Sequence, residues 1–245
     1  MPIGVGYQLV VLGRQRGRLV IGRRHLVLRM PVMIEIARIS RAATLQVLVE
    51  TASWLGLVRI LSTFGSAALA GYTIAMRVAI FALLPAFGLS NAAATLVGQN
   101  LGAGEPDRAK RSVSTIAFYN VAFLGVISLT FVIAPRALVS LFTTDPAVNA
   151  YASECLRIVA LGFVAFAYGM VVVQAFNGAG DTKTPMLLNI AVFWCFKIPL
   201  AWVLAKVLGL GPTGVFYAIS AAYSLQAIVG GALFRRGKWQ HAKVA

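Results

Sequence analysis

Seven of the 245 residues are acidic, and one of them, Glu50, stands in the middle of a long apolar run. Gln46 lies four residues before it and Ser53 three after, so a helix would carry all three on one polar stripe. A charged side chain at the centre of a bilayer span costs about 2.5–3.5 kcal/mol, so each one needs a reason. A lone carboxylate there can hold Na+ or take up H+, which makes Glu50 a candidate cation-coupling and metal-binding residue. The competing reading is structural, an ion pair with Arg77 or Lys197, which also fall within apolar runs. Lys197 would face a cavity or pair with Glu50. Arg59 lies near the far end of its run and reads as a snorkelling residue. Glu154 and Arg157, three apart, read as a local pair at a helix end. Tyr119, Asn120, Asn189, Tyr168 and Gln174 are the other polar groups inside runs. They would either line a cavity for a small organic cation or hydrogen-bond neighbouring helices.

Other apparent motifs lack the context their chemistry requires. Gly209-x-Gly211-x-x-Gly214 has no strand before it, contains Pro212, and is followed by no acid within the next 20 residues, so it is no dinucleotide site. Gly98-x-x-x-Gly102 falls at a turn and not inside a span. No phosphate-binding loop of the Walker type is present, which excludes ATP as the energy source on this reading. No Ser/His/Asp set is visible, and His25 and His241 sit in basic segments. Two cysteines without paired spacing imply neither a disulfide framework nor a zinc site. The expectation is a protein that is not an enzyme and needs no cofactor.

The elements that must carry these residues follow from composition. The chain is 59% hydrophobic and 12% charged, about half the charge of a soluble domain, with a mean hydropathy of +0.82. A net charge of +15 on so oily a chain argues against nucleic acid as the partner. The composition implies an all-α polytopic membrane protein. Six apolar runs are long enough to cross about 30 Å of hydrocarbon: 42–62, 72–98, 112–134, 155–176, 186–208 and 212–234. The second is longer than needed and contains Pro85, which predicts tilt or a kink; Pro199 predicts a kink in the fifth. Residues 3–12 are apolar but too short to span, and arginines follow them. That order places the opening of the chain inside a preceding transmembrane helix. Residues 13–41 hold eight arginines, and their second half suits an amphipathic helix on the membrane surface. Six spans put this segment, residues 99–111, residues 177–185 and the C-terminus on one side, with 16 of the 22 basic residues. The excess marks that side as cytoplasmic.

Two turns on that side share one chemistry. TLVGQNLGAGEPDRAKR (95–111) and FNGAGDTKTP (176–185) each run Asn, then Gly-Ala-Gly, then an acid. The glycines let a helix stop and reverse, and the acid and proline suit the start of the next. Asp181 is a candidate cap. Together with GLGPTGVFYAI (209–219), these stretches resemble the multidrug and toxic compound extrusion (MATE) family of transporters, through about residues 37–240. The resemblance implies one six-helix lobe, the second of the two in that family. Residues 1–12 would be the remnant of the preceding helix, 13–41 the inter-lobe connector, 42–236 the lobe and 237–245 a cytoplasmic tail. It implies antiport of small, often cationic, organic compounds against H+ or Na+, in the inner membrane with both termini cytoplasmic. A second lobe or a homodimer would be the partner. Glu50 matches the acid that many members use for cation coupling, whereas the position of a second family acid falls near Phe166. The rival readings are a flippase for lipid-linked precursors, which predicts a more cationic cavity, and a truncated half-transporter without activity.

Overall fold

The computed structural model describes residues 29–241. The chain divides into two compact units, residues 1–40 and 41–245. Within the first, the helical assignment begins at Met30, and Met30, Met33 and Ile36 are exposed. The stretch 1–28, including the remnant helix and most of the connector read from the sequence, lies outside the described residues. Helix α1 is assigned from Met30 to Ser62, and its apolar span is Ala43–Ser62.

The regular elements of the second unit are all helices among its described residues. α2 (Ser66–Gly102) and α3 (Pro106–Ile133) form a long hairpin. A short α4 (Pro135–Ser140) leads to α5 (Pro146–Leu161) and α6 (Phe163–Gly178). α7 (Lys183–Val207) and α8 (Pro212–Arg235) complete the bundle. Among the described residues, five helices are long and apolar enough to cross a membrane, and α5 with α6 would make a sixth, bent crossing if the pair is one span. α2 has 37 residues, about 55 Å of helix, and so exceeds the hydrocarbon thickness while passing Pro85 without interruption.

The fourth crossing corrects the sequence reading. The run 155–176 was expected as one helix, yet α5 and α6 meet at Gly162 with a bend of 56°. The cause lies in the neighbours. The amide of Gly162 bonds back to the Val159 carbonyl at 3.0 Å, a tightened last turn. Ser220 of α8 donates to the Ile158 carbonyl at 2.6 Å, and Ser128 of α3 donates to that of Ala160 at 2.6 Å. Two carbonyls at the bend thus bond to hydroxyls from other helices. Gly162 is also where α8 comes close, because a Cβ there would stand 3.0 Å from the Cα of Ser220.

The fifth crossing is not simply kinked. α7 alternates α-helical Lys183–Asn189 and Ile198–Trp202 with π-helical Ile190–Lys197 and Val203–Val207. Pro199 carries no amide proton, so the α-ladder cannot run through it, and the wider turns lie on either side.

The two similar turns are alike in three dimensions. Gly104 and Gly180 both take positive φ, 76° and 82°. The amide of Glu105 bonds the Asn100 carbonyl at 2.8 Å, and that of Asp181 bonds the Phe176 carbonyl at 3.0 Å, closing the same reversal. Asp181 caps the start of α7, accepting from the Thr184 amide at 3.1 Å.

The main core gathers Leu57, Tyr72, Leu124, Phe163 and Phe216. A second cluster, with Val97, Val113, Phe176 and Phe234, closes the end that holds the two similar turns. Trp239 belongs to it, 1% exposed and stacked on Phe234 at 4.7 Å. The packed region therefore includes Trp239, beyond residue 236. Glu154 takes its hydrogen bond from Thr213 at 2.9 Å, not from the expected local partner Arg157.

Candidate functional site

A cavity of about 580 Å³ opens among α1, α2, α6, α7 and α8. Its wall is mostly apolar and aromatic: Trp54 from α1, Tyr72 and Phe87 from α2, Phe166 from α6, Phe193 from α7, Tyr223 from α8. α1 sends a stripe into it. Gln46, Ser53, Leu57 and Leu61 are buried on one face of that helix, and Glu50 shares their spacing. Glu50 is exposed at the cavity wall, so a cation entering the cavity can reach it.

Three bonds tie this stripe to α7. The Glu50 carboxylate accepts from Nδ2 of Asn189 at 2.8 Å. Ser53 donates to the Phe193 carbonyl at 2.9 Å, inside the first π-helical segment. The Trp194 indole donates to the Val49 carbonyl at 3.1 Å. Behind Asn189 stands Gln226 of α8, which is 3% exposed and donates to Asn189 Oδ1 at 3.4 Å. Its own Oε1 is buried without a partner. Lys197, 8% exposed, lines the same cavity and holds its ammonium 4.4 Å from the centre of the Phe193 ring. Asn189, and not Lys197, supplies the direct hydrogen bond to the carboxylate.

At the end nearer the two similar turns, Gln46 donates to Asn177 Oδ1 at 3.3 Å and to the Thr182 carbonyl at 3.1 Å. Asn177 donates to Gln174 at 2.9 Å, and Gln174 donates to Asn91 at 2.8 Å. These amides link α1, α2, α6 and the α6–α7 turn.

Several candidates do not reach the cavity. Arg77 is exposed outside it, because Tyr72 and Met76 face inward in that part of α2 and Arg77 is one position further round the helix. Tyr119 is exposed on α3, edge-on to Phe118 at 5.8 Å. Asn120 is buried behind the wall, donating to the Ala167 carbonyl at 2.9 Å and to Ser90 at 3.4 Å, with Oδ1 unpartnered. Tyr168 packs beside Gly231. Phe166 stacks on Tyr223 with ring centres 4.1 Å apart. Sequence reasoning missed Gln226 and Asn177. Gln226 was detectable, since an amide in the middle of an apolar run raises the same question as Glu50.

Comparison with known proteins agrees with this architecture. The MatE family profile matches residues 42–203, and the chain belongs to that family. A probable multidrug resistance protein NorM of Thermotoga maritima is 26% identical over 210 residues, covering 86% of this chain and 45% of the relative. One from Caulobacter vibrioides is 29% identical over 216 residues, covering 88% and 46%. The chain thus spans under half the length of these curated relatives. A crystal structure of a MATE protein in the bent conformation superposes with a TM-score of 0.87 over 97% of this chain and 52% of that one, at 18% identity, which establishes the fold. The chain is a multi-pass membrane protein with the helical architecture of a MATE transporter.

Proposed function

We propose that the chain forms one lobe of a multidrug efflux transporter, exporting small, often cationic, organic compounds in exchange for H+ or Na+. One observation carries the reading: a single carboxylate, Glu50, stands on the wall of an aromatic-lined cavity inside a membrane-spanning bundle. Aromatic faces and one carboxylate suit an organic cation or its competing ion, because both compete for the same negative charge. The relatives named as multidrug resistance proteins support the same reading. Glu50 is the coupling residue. An ion bound there removes the charge that attracts the substrate, and the three bonds between α1 and α7 transmit the change to helix packing. A cavity between two lobes would then alternate between the two sides of the membrane. The second lobe is a partner chain, another copy, or a further part of the same protein. On this reading the chain lies in the inner membrane, and the placement of basic residues supports cytoplasmic termini. The test is efflux of a fluorescent organic cation from vesicles under a proton or Na+ gradient. Glu50→Gln should abolish the gradient-driven component; efflux at the unaltered rate would overturn the proposal.

A further inference from the structure

A second cleft, of about 530 Å³, lies between α1 and α7, lined in part by Arg59, Thr63, Trp202 and Lys206. It sits at the C-terminal ends of both helices, the membrane face away from the two similar turns. Few basic residues belong on that face, since most label the opposite one. Two of them nevertheless converge here from different helices. None of the eight lining residues is acidic. The Lys206 ammonium lies 4.4 Å from the centre of the Phe64 ring. Gly56, Ile60, Ile198 and Pro199 make the apolar floor of the cleft. Gly56 leaves little room there, as a Cβ would meet Ile198 at 3.2 Å. Trp202 is exposed beside the two cations, as expected of an aromatic at the headgroup level.

We propose that this cleft binds an anionic phospholipid, its headgroup phosphate between Arg59 and Lys206 and an acyl chain along the apolar floor. The charge decides the class of lipid. Two cations without a local acid attract a headgroup of net negative charge and gain less from one whose own ammonium balances its phosphate. The volume is in the range of sites that hold small organic ligands, enough for a headgroup and part of a chain.

Trp202 reports on the cleft directly. The full chain is placed in phosphatidylcholine vesicles containing increasing fractions of either phosphatidylglycerol or phosphatidylcholine brominated in the acyl chain, and tryptophan quenching is recorded. Subtracting the Trp202→Phe signal isolates the local component, which excludes lipid bound at the basic opposite face. Half-maximal quenching of Trp202 should need at least tenfold less brominated phosphatidylglycerol than brominated phosphatidylcholine. Arg59→Gln with Lys206→Gln should bring the two lipids within twofold, with the emission of buried Trp239 unchanged as a control for folding. Equal quenching by both lipids in the unaltered chain would make the cleft an ordinary apolar crevice. Quenching by neither would mean protein covers it. Preference that survives in the double variant would mean that these cations do not select. Each of the last three results overturns the proposal.

Discussion

The chain Gln226–Asn189–Glu50 predicts an asymmetry between two substitutions that look equivalent. Asn189→Leu removes the donor to a carboxylate at 2.8 Å and strands the Gln226 amide that had been donating to Asn189 at 3.4 Å. A hydrogen bond to a charged group contributes about 1.5–3 kcal/mol in soluble proteins, and interhelical bonds in membranes average about 0.6 with a maximum near 1.7. Losing one charged bond and stranding a buried donor therefore costs about 2 kcal/mol. Gln226→Leu breaks a weak bond at 3.4 Å and leaves Asn189 Oδ1 without its donor, but it also removes Oε1, a buried acceptor that has no partner. The gain from removing that oxygen offsets most of the loss, and the net cost is below about 0.7 kcal/mol. For a chain of this size, about 1 kcal/mol moves the unfolding midpoint by 2–4 °C. Thermal unfolding in detergent, followed by loss of helical circular dichroism, should fall by about 4–8 °C for Asn189→Leu and by less than about 3 °C for Gln226→Leu. Equal losses would refute the reasoning. They would mean that Gln226 supports the site through a partner other than Asn189, or that its oxygen is satisfied.

Two further outcomes follow from the same geometry. Gly178→Val should lower the unfolding midpoint by several degrees, because a Cβ at 178 would run into the Ala94 carbonyl of α2, and overpacking of this kind costs about 1–3 kcal/mol; Gly125→Ala, with nothing near its Cβ, should raise it slightly. Phe166→Asp should replace an aromatic stack with a second carboxylate on the cavity wall, and binding of radioactive Na+ should rise at least tenfold, an effect of about 1.4 kcal/mol; unchanged binding would show that position 166 does not share a cation with Glu50.

Much of the scaffold was readable because the bilayer demands long apolar helices, and their lengths and the basic residues between them are local properties of the chain. The two Gly-Ala-Gly turns were readable for the same reason, since positive φ at Gly104 and Gly180 is a local requirement. The break at Gly162 was not. The sequence around it is uniformly apolar, and the hydroxyls that bond the carbonyls at the bend come from Ser128 and Ser220, elsewhere in the chain. The π-helical turns of α7 were half visible, in that Pro199 announced a disturbance but not its form. The site divides in the same way. Glu50 and its stripe follow from helical spacing along one segment. Its donor, Asn189, is 139 residues away, and only the fold selects it over the expected partners Arg77, which helical rotation turns outward, and Lys197, which lines the cavity beside Phe193.

The central claim, that Glu50 couples ion movement to export, is tested most directly by separating driven transport from passive exchange in vesicles. Cation accumulation under an imposed gradient and gradient-free exchange of labelled for unlabelled substrate are measured side by side for the unaltered chain and Glu50→Gln. The account predicts that the variant loses accumulation while exchange persists within a fewfold, since the aromatic wall remains to bind substrate. Accumulation by Glu50→Gln at the unaltered rate would contradict it.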